Sequence, residues 1–417
     1  MGKDKDNILL KDYTNLQMIG AGGYATVYKV RHNELEYIRA IKVLNAPITS
    51  EDDETYKKFL KECRLLLRLG NGNHPNIVHI FQPLFRSNLA FVEMDYITGE
   101  DIKHFVERVK FVPIEDVILF LKEIGSALAY CHYDIYKYCY DREIDELKDD
   151  PNDGSKVLID DNTRNLLINK YRVVHNDIHS GNIMRTDVGH YVLLDFGLAI
   201  QDGEVSRKSQ RTNGAPEYKA PEKDNDEIST QSDIYSFGVV LYELLTGHVP
   251  FVYNKTLTSV EAEYELLKAH KTSAPASIIK ERRKCYEATY KGKAYNNDVP
   301  SWLIEVVERC LRKKPSERFK DGKELMDYVN RAAKEFPSII RQTPPKRKGI
   351  KERTLEIIRG KRNGNNNNDC PKPDFDFEAK PNKGVKNPIR DNVKPNFDFE
   401  AKSRNGKNEK SKPDFDF

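Results

Sequence analysis

An α+β fold in two unequal lobes is what the sequence predicts, on three observations. Residues 13–95 are short alternating apolar runs broken by Gly and Asn, the pattern of antiparallel strands, with one helical stretch among them. From residue 96 the apolar positions recur at helical spacing. Beyond about Pro344 the chain turns rich in Lys, Asn and Pro and the periodicity vanishes, so that stretch cannot bury enough surface to offset its ordering entropy. The division is an extension at 1–12, a folded region at 13–340 with a small lobe 13–95 and a large lobe 96–340, and a disordered basic tail at 341–417.

Taken in order, Ala25 to Val30 and Tyr37 to Val43 read as strands. Residues 52–69 place Phe59, Leu60, Cys63, Leu66, Leu67 and Leu69 near a 3.6-residue spacing, which predicts an amphipathic helix. Ile77 to Phe81 and Leu89 to Met94 read as further strands. In the large lobe Ile114 to Tyr130 is amphipathic, whereas Ser232 to Leu245 is apolar nearly all round, as a helix inside a core should be. Val260 to Ala269, Pro300 to Leu311 and Gly322 to Phe336 complete the helices. A sheet-bearing lobe beside a helical one leaves a cleft, where a ligand is expected.

Composition narrows the class. Of 417 residues 38% are hydrophobic and 32% charged, and no apolar run approaches the roughly 18 to 20 residues of a membrane-spanning helix. The start, MGKDKDNILLKDY, lacks the apolar core of a secretory signal. A cytoplasmic protein without membrane contact is expected. Cys63, Cys131, Cys139, Cys285, Cys310 and Cys370 stand singly, without the spacing of a zinc site or a disulfide framework. Residues 341–417 hold 20 Lys or Arg against 12 Asp or Glu, so the net +3 of the chain is +8 in the tail and −5 elsewhere. A solvated tail rather than a nucleic-acid contact is expected.

Candidate chemistry begins at GAGGYATVYKV between the first strands. Gly20, Ala21, Gly22 and Gly23 are small enough for backbone N–H groups to approach a polyphosphate. RAIKVL follows, placing Lys42 where a cation could reach phosphates and Glu62 of the next helix where it could pair with Lys42. VVHNDIHSGNIM and YVLLDFGLA then set Asp177 and Asn182 five residues apart and Asp195 eighteen beyond Asp177. A carboxylate base, an amide oxygen and a second carboxylate are the hard oxygen donors that Mg²⁺ shares with phosphate and water.

In these motifs the chain resembles the eukaryotic-like protein kinase superfamily of the serine/threonine type, over about residues 13 to 336. The resemblance implies a two-lobed kinase fold and an ATP- and Mg²⁺-dependent enzyme, with Mn²⁺ as an alternative ion. It implies that Gly20 to Val27 cover ATP, that Lys42 holds its phosphates with Glu62 as ion-pair partner, and that Ala40 lies beside the nucleotide. Met94 falls at the gatekeeper position, with Asp95, Tyr96 and Ile97 as the adenine-binding hinge. Asp177 becomes the catalytic base, Asn182 and Asp195 the metal ligands, and Phe196 and Gly197 the rest of the DFG motif. GAPEYKAPE resembles the end of an activation segment, Asp233 a buried helix aspartate, and Arg318 the partner of Glu222.

Departures from the family shape the remaining expectations. Asn176 stands where an Arg often precedes the catalytic aspartate, so constitutive or partner-driven activity is expected rather than strict control through Ser206, Ser209 or Thr212. His179 replaces a Lys and Ala215 a Thr, and His179 is expected near the transferred phosphate as a pH-sensitive substitute. HNDIHSGN also resembles the corresponding loop of aminoglycoside and choline kinases, which keeps a small-molecule acceptor open; a transition-metal site at His175, Asp177 and His179 is a separate alternative. Pro221, Glu222, Asp233 and Arg318 belong to the architecture for protein substrates.

Two insertions are read at about 134–170, a surface excursion, and 276–298, a solvated helix or a dock for an acidic partner. The tail repeats KPDFDFEAK, KPNFDFEAK and KPDFDF. In an extended strand both Phe side chains of each unit share a side, which suits recruitment of an unidentified partner or substrate through avidity. A kinase-fold scaffold acting through that tail is the alternative to an active enzyme.

Overall fold

A computed structural model describes residues 12–335 except 49, 51, 71, 72, 87, 140–159, 202–214, 226, 227, 254, 255, 257 and 292. The three tail repeats, Ser206, Ser209 and Thr212 lie outside the described residues.

The small lobe is an antiparallel sheet of five strands, β1 (Tyr13–Ala21), β2 (Ala25–His32), β3 (Ile38–Leu44), β4 (Ile80–Arg86) and β5 (Leu89–Asp95), in the order β1-β2-β3-β5-β4. Alternation puts Ile41, Val43 and Phe91 on one face, in a core with Tyr13 and Val30. Ala40 and Lys42 turn to the other. Helix α1 (Glu54–Gly70) buries Phe59, Cys63, Leu66 and Leu69 along its apolar stripe and packs on β4.

The strand expected at Ile77 to Phe81 starts later. Ile77 bridges Leu193 instead, Val78 N–H donates to Leu193 O at 3.0 Å and Leu193 N–H to Asn76 O at 2.8 Å. The apolar run is buried as its pattern demands, but its first half pairs with the large lobe and only Ile80 onward joins the small sheet.

The large lobe opens with β6 (Gly99–Asp101), α2 (Ile102–Val109) and α3 (Ile114–Ala129), which a π-type turn prolongs to Asp134. After α4 (Asp161–Tyr171) come β7 (Val173–Val174), β8 (Ile183–Thr186), β9 (Tyr191–Leu193) and β10 (Ile200–Gln201), forming the sheets β6-β8-β9 and β7-β10. Helices α5 (Thr230–Thr246), α6 (Ser259–Thr272), α7 (Ile278–Thr289), α8 (Ser301–Cys310) and α9 (Gly322–Glu335) follow. Every residue of α5 from Ser232 to Thr246 is buried, and its Phe237 stacks on Phe120 of α3 at 5.6 Å. It ends at Gly247 in the left-handed region, φ 81. A Cβ on Gly322 would stand 2.4 Å from Ala129 N, so glycine lets α9 seat against α3. Among the described residues no helix is long and apolar enough to cross a membrane.

The described parts of both insertions are mostly exposed, but each sends side chains inward. The described part of the first ends in α4, which buries Ile168 and Tyr171. In the second, α7 sends Arg282 wholly into the core, where it lies over Phe111 and donates to Val112 O, Leu245 O and the Asp298 carboxylate. The charge run KERRK reads as a solvated face. A guanidinium has enough donors to satisfy stray carbonyls indoors.

Candidate active site

Between the lobes lies a cavity of about 580 Å³. Its roof comes from the register of the small sheet: β3 sets Lys42 opposite Val27 and Val92, and the two-residue period brings Ala40 to the same side. Gly20, Val27, Ala40 and Lys42 line this roof, Met94, Asp95, Tyr96 and Ile97 the rear, and Asn182 and Asp195 the floor. Ala21, Gly22 and Gly23 do not line it. They form the exposed hairpin at its mouth, closed by Gly22 N–H to Ala25 O at 2.9 Å and Asn45 Nδ2 to Gly22 O at 2.6 Å. Ile19, Leu66, Val78, Met184 and Leu194, none of them marked by the motifs as site residues, complete the apolar lining, with Glu100, Asp101 and His104 at the entrance.

Charge converges on Lys42. Its Nζ stands 2.6 Å from Glu62 Oε1 and 3.0 Å from Asp195 Oδ1, joining the helix of the small lobe to the floor. Burial disfavours the ammonium, but Glu62 and Asp195 outweigh it and raise its pKa above that of an ordinary lysine. Burial also works against the Asp195 carboxylate, yet Lys42 and the Gly197 N–H hold its pKa below the usual range. Asp195 sits at φ 52 and its side chain is 48% exposed, so the carboxylate opens on the cleft. Phe196 is turned away into the core against the His175 ring, 4.5 Å between centroids.

The loop between β7 and β8 hangs from α5. Asp233, fully buried, accepts from His175 N–H at 2.7 Å, Asn176 N–H at 2.8 Å and His132 Nε2 at 3.0 Å. That anchorage brings Asp177 and Asn182 together: Asn182 Nδ2 donates to Asp177 O at 2.9 Å and to Asp177 Oδ2 at 3.2 Å. The amide thus spends its N–H groups on Asp177 and keeps Oδ1 as its acceptor. His179 Nδ1 accepts from Gly181 N–H at 3.1 Å, which leaves the ring proton on Nε2, 3.8 Å from Asp177 Oδ2. Burial pulls its pKa below that of an ordinary histidine, opposed by Asp177, so the ring is neutral at pH 7. His175 does not join a metal cluster: Nε2 meets Leu194 O at 2.9 Å and Nδ1 accepts from Asp177 N–H at 3.3 Å. The expected Arg318–Glu222 pair is present and bidentate, at 2.7 and 2.8 Å.

Residues 13–139 and 167–329 match the protein kinase domain family. The chain belongs to that family. Among its curated relatives this protein kinase domain is 27% identical over 325 residues to a probable serine/threonine-protein kinase of Clostridium acetobutylicum, covering 78% of this chain and 40% of the relative. It is 28% identical to serine/threonine-protein kinase PkaA of Streptomyces coelicolor, over 72% of this chain and 46% of the relative. It is 26% identical to serine/threonine-protein kinase PrkC of Bacillus subtilis, over 64% and 36%. The chain therefore spans less than half the length of these relatives. The family match is interrupted between residues 139 and 167, within the segment read as the first insertion.

Proposed function

We propose that this chain is an active kinase that transfers the γ-phosphoryl group of ATP to Ser or Thr hydroxyls of protein substrates. The observation behind this reading is the chain of contacts from Glu62 through Lys42 to Asp195, beside the Asp177–Asn182 pair and open to the cleft. Lys42, kept charged and aimed by Glu62, binds the α- and β-phosphates. Neither φ nor crowding from the chain requires glycine at 20, 22 or 23, so their smallness is available to a ligand under the hairpin. Ala40 and the hinge Met94 to Ile97 enclose the adenine in an apolar slot.

Asn182 Oδ1 and the Asp195 carboxylate are hard donors that fit Mg²⁺, or Mn²⁺, arriving with the nucleotide. Bound there, the ion would neutralise phosphate charge. Asp177, steadied by Asn182 Nδ2, orients the acceptor hydroxyl and takes its proton. Neutral His179 offers its Nε2 proton beside that carboxylate, where the transferred group arrives. Protein acceptors are supported by the buried Glu222–Arg318 pair, which fixes the end of the activation segment, and by the names of the relatives. The setting proposed is cytoplasmic, with the KPxFDF repeats recruiting a partner or substrate. A chain ending at Arg341 should then phosphorylate a recruited substrate more slowly than the full chain but a generic acceptor equally well.

The test is phosphate transfer from ATP and Mg²⁺ to a generic protein acceptor, followed by phosphoamino-acid analysis. Phosphoserine or phosphothreonine from the natural chain, and none from Asp195→Asn, is expected. Undiminished transfer by Asp195→Asn would overturn the residue roles. Absence of transfer by the natural chain would favour the scaffold reading.

A further inference from the structure

The peptide unit just before Asp177 is held at both ends, and one holder has no part in the roles above. On one side Asp177 N–H meets His175 Nδ1 at 3.3 Å. On the other the Asn176 carbonyl accepts from Lys223 Nζ at 2.6 Å. A trans peptide is rigid and its N–H and C=O point in opposite directions, so these two bonds fix the rotation of the plane from which Asp177 departs. Asn176 rests in the left-handed region, φ 66, which asparagine adopts more readily than other non-glycine residues. Its N–H also donates to Asp233 Oδ1 at 2.8 Å and its Nδ2 to Leu198 O at 3.1 Å.

Lys223 reaches in from an anchored turn. Its neighbour Glu222 is clamped by Arg318, and Glu222 Oε1 also accepts from Ser232 Oγ at 2.8 Å. The ammonium faces Asp233 of α5, Asp177 of the catalytic loop and Glu222 of its own turn, with Lys219 as the opposing cation. Resting on the kinase reading, we infer that Lys223 is a positioning residue: by clamping the Asn176 carbonyl it sets the direction in which Asp177 presents its carboxylate to the acceptor hydroxyl. The end of the activation segment is thereby tied to the catalytic base without a modified residue between them. Burial pulls the Lys223 pKa below that of an ordinary lysine, so the clamp is a charge-assisted hydrogen bond at low pH and weakens to a neutral one as pH rises through that lowered value.

The experiment compares the natural chain with Lys223→Met, which keeps the stem and removes the ammonium, in phosphate transfer and nucleotide binding. Misplacing the base predicts a ~10- to 100-fold fall in kcat with nucleotide affinity within about twofold. The kcat of the natural chain should fall with rising pH below the range of an ordinary lysine, and that limb should be missing from the variant. Equal kcat in the two proteins overturns the inference. Should Lys223→Met fail to bind nucleotide, the natural chain decides: a pH profile flat into the ordinary lysine range, with nucleotide binding intact, rejects the clamp. A natural chain without any transfer would refute the kinase reading instead, a different outcome from an active chain indifferent to Lys223.

Discussion

Glu243 is a carboxylate in the wrong place, and that can be measured. It lies on α5, 7% exposed, accepting from Tyr218 OH at 2.8 Å, while Tyr218 OH meets Ser180 Oγ of the loop between β7 and β8 at 2.7 Å. Burial, opposed by Tyr218 and Ser180, raises its pKa from 4.5 to about 7. The fold thus keeps a proton that the unfolded chain releases from about pH 4.5 upward. Stability contributed by the neutral form is complete below that pH and is lost progressively as pH rises to about 7. A difference of about 2.5 pKa steps corresponds to ~3 kcal/mol. Glu243→Gln keeps the shape and the acceptor and never charges. Thermal unfolding of the two proteins should therefore coincide near pH 4.5 and diverge with pH, the Gln form being more stable by up to ~3 kcal/mol at pH 8. For a domain of roughly 320 residues that is about 4–5 °C in Tm. A gap that does not change with pH, or a Gln form less stable at pH 8, would refute the reasoning.

Other perturbations follow from the same geometry. Arg318→Leu strands the Glu222 carboxylate, 6% exposed, and should cost ~3–5 kcal/mol in urea unfolding, whereas replacing both partners by apolar residues should cost less. Arg282→Met removes the guanidinium donor from Val112 O, Leu245 O and Asp298, with Asp298 keeping the Tyr295 OH donor, and should cost ~2–4 kcal/mol by the same measurement, which a merely solvated helix would not show. Lys42→Met should abolish phosphate transfer while leaving the fold measured by circular dichroism intact, because it removes the ammonium that joins Glu62 to Asp195.

Periodicity made β2, β3, α1 and the large-lobe helices α3, α5, α6, α8 and α9 legible, since each has one apolar face or is apolar throughout, whereas α2 and α4 were not read from it. It does not tell which partner an apolar run pairs with, so Ile77 reads as part of the small sheet although it bridges Leu193. The charged groups of the site were legible because Lys42, Glu62, Asp177, Asn182 and Asp195 keep an order that resembles a known family. Val78, Met184 and Leu194 were not, because an apolar side chain facing a cleft has the same pattern as one facing a core. Arg282 and Lys223 look like surface charges in a sequence, and only the fold reveals the carbonyls waiting for them. Glu243 did leave a trace: it is a carboxylate near the end of a helix otherwise apolar nearly all round.

The central claim is that Asp177, steadied by Asn182 and hung from Asp233, is the group that takes the acceptor's proton. Single-turnover phosphate transfer by Asp177→Asn, with nucleotide affinity measured on the same preparation, tests it most directly. Transfer reduced by at least ~100-fold with nucleotide affinity retained is the predicted result. Transfer at the natural rate would contradict it.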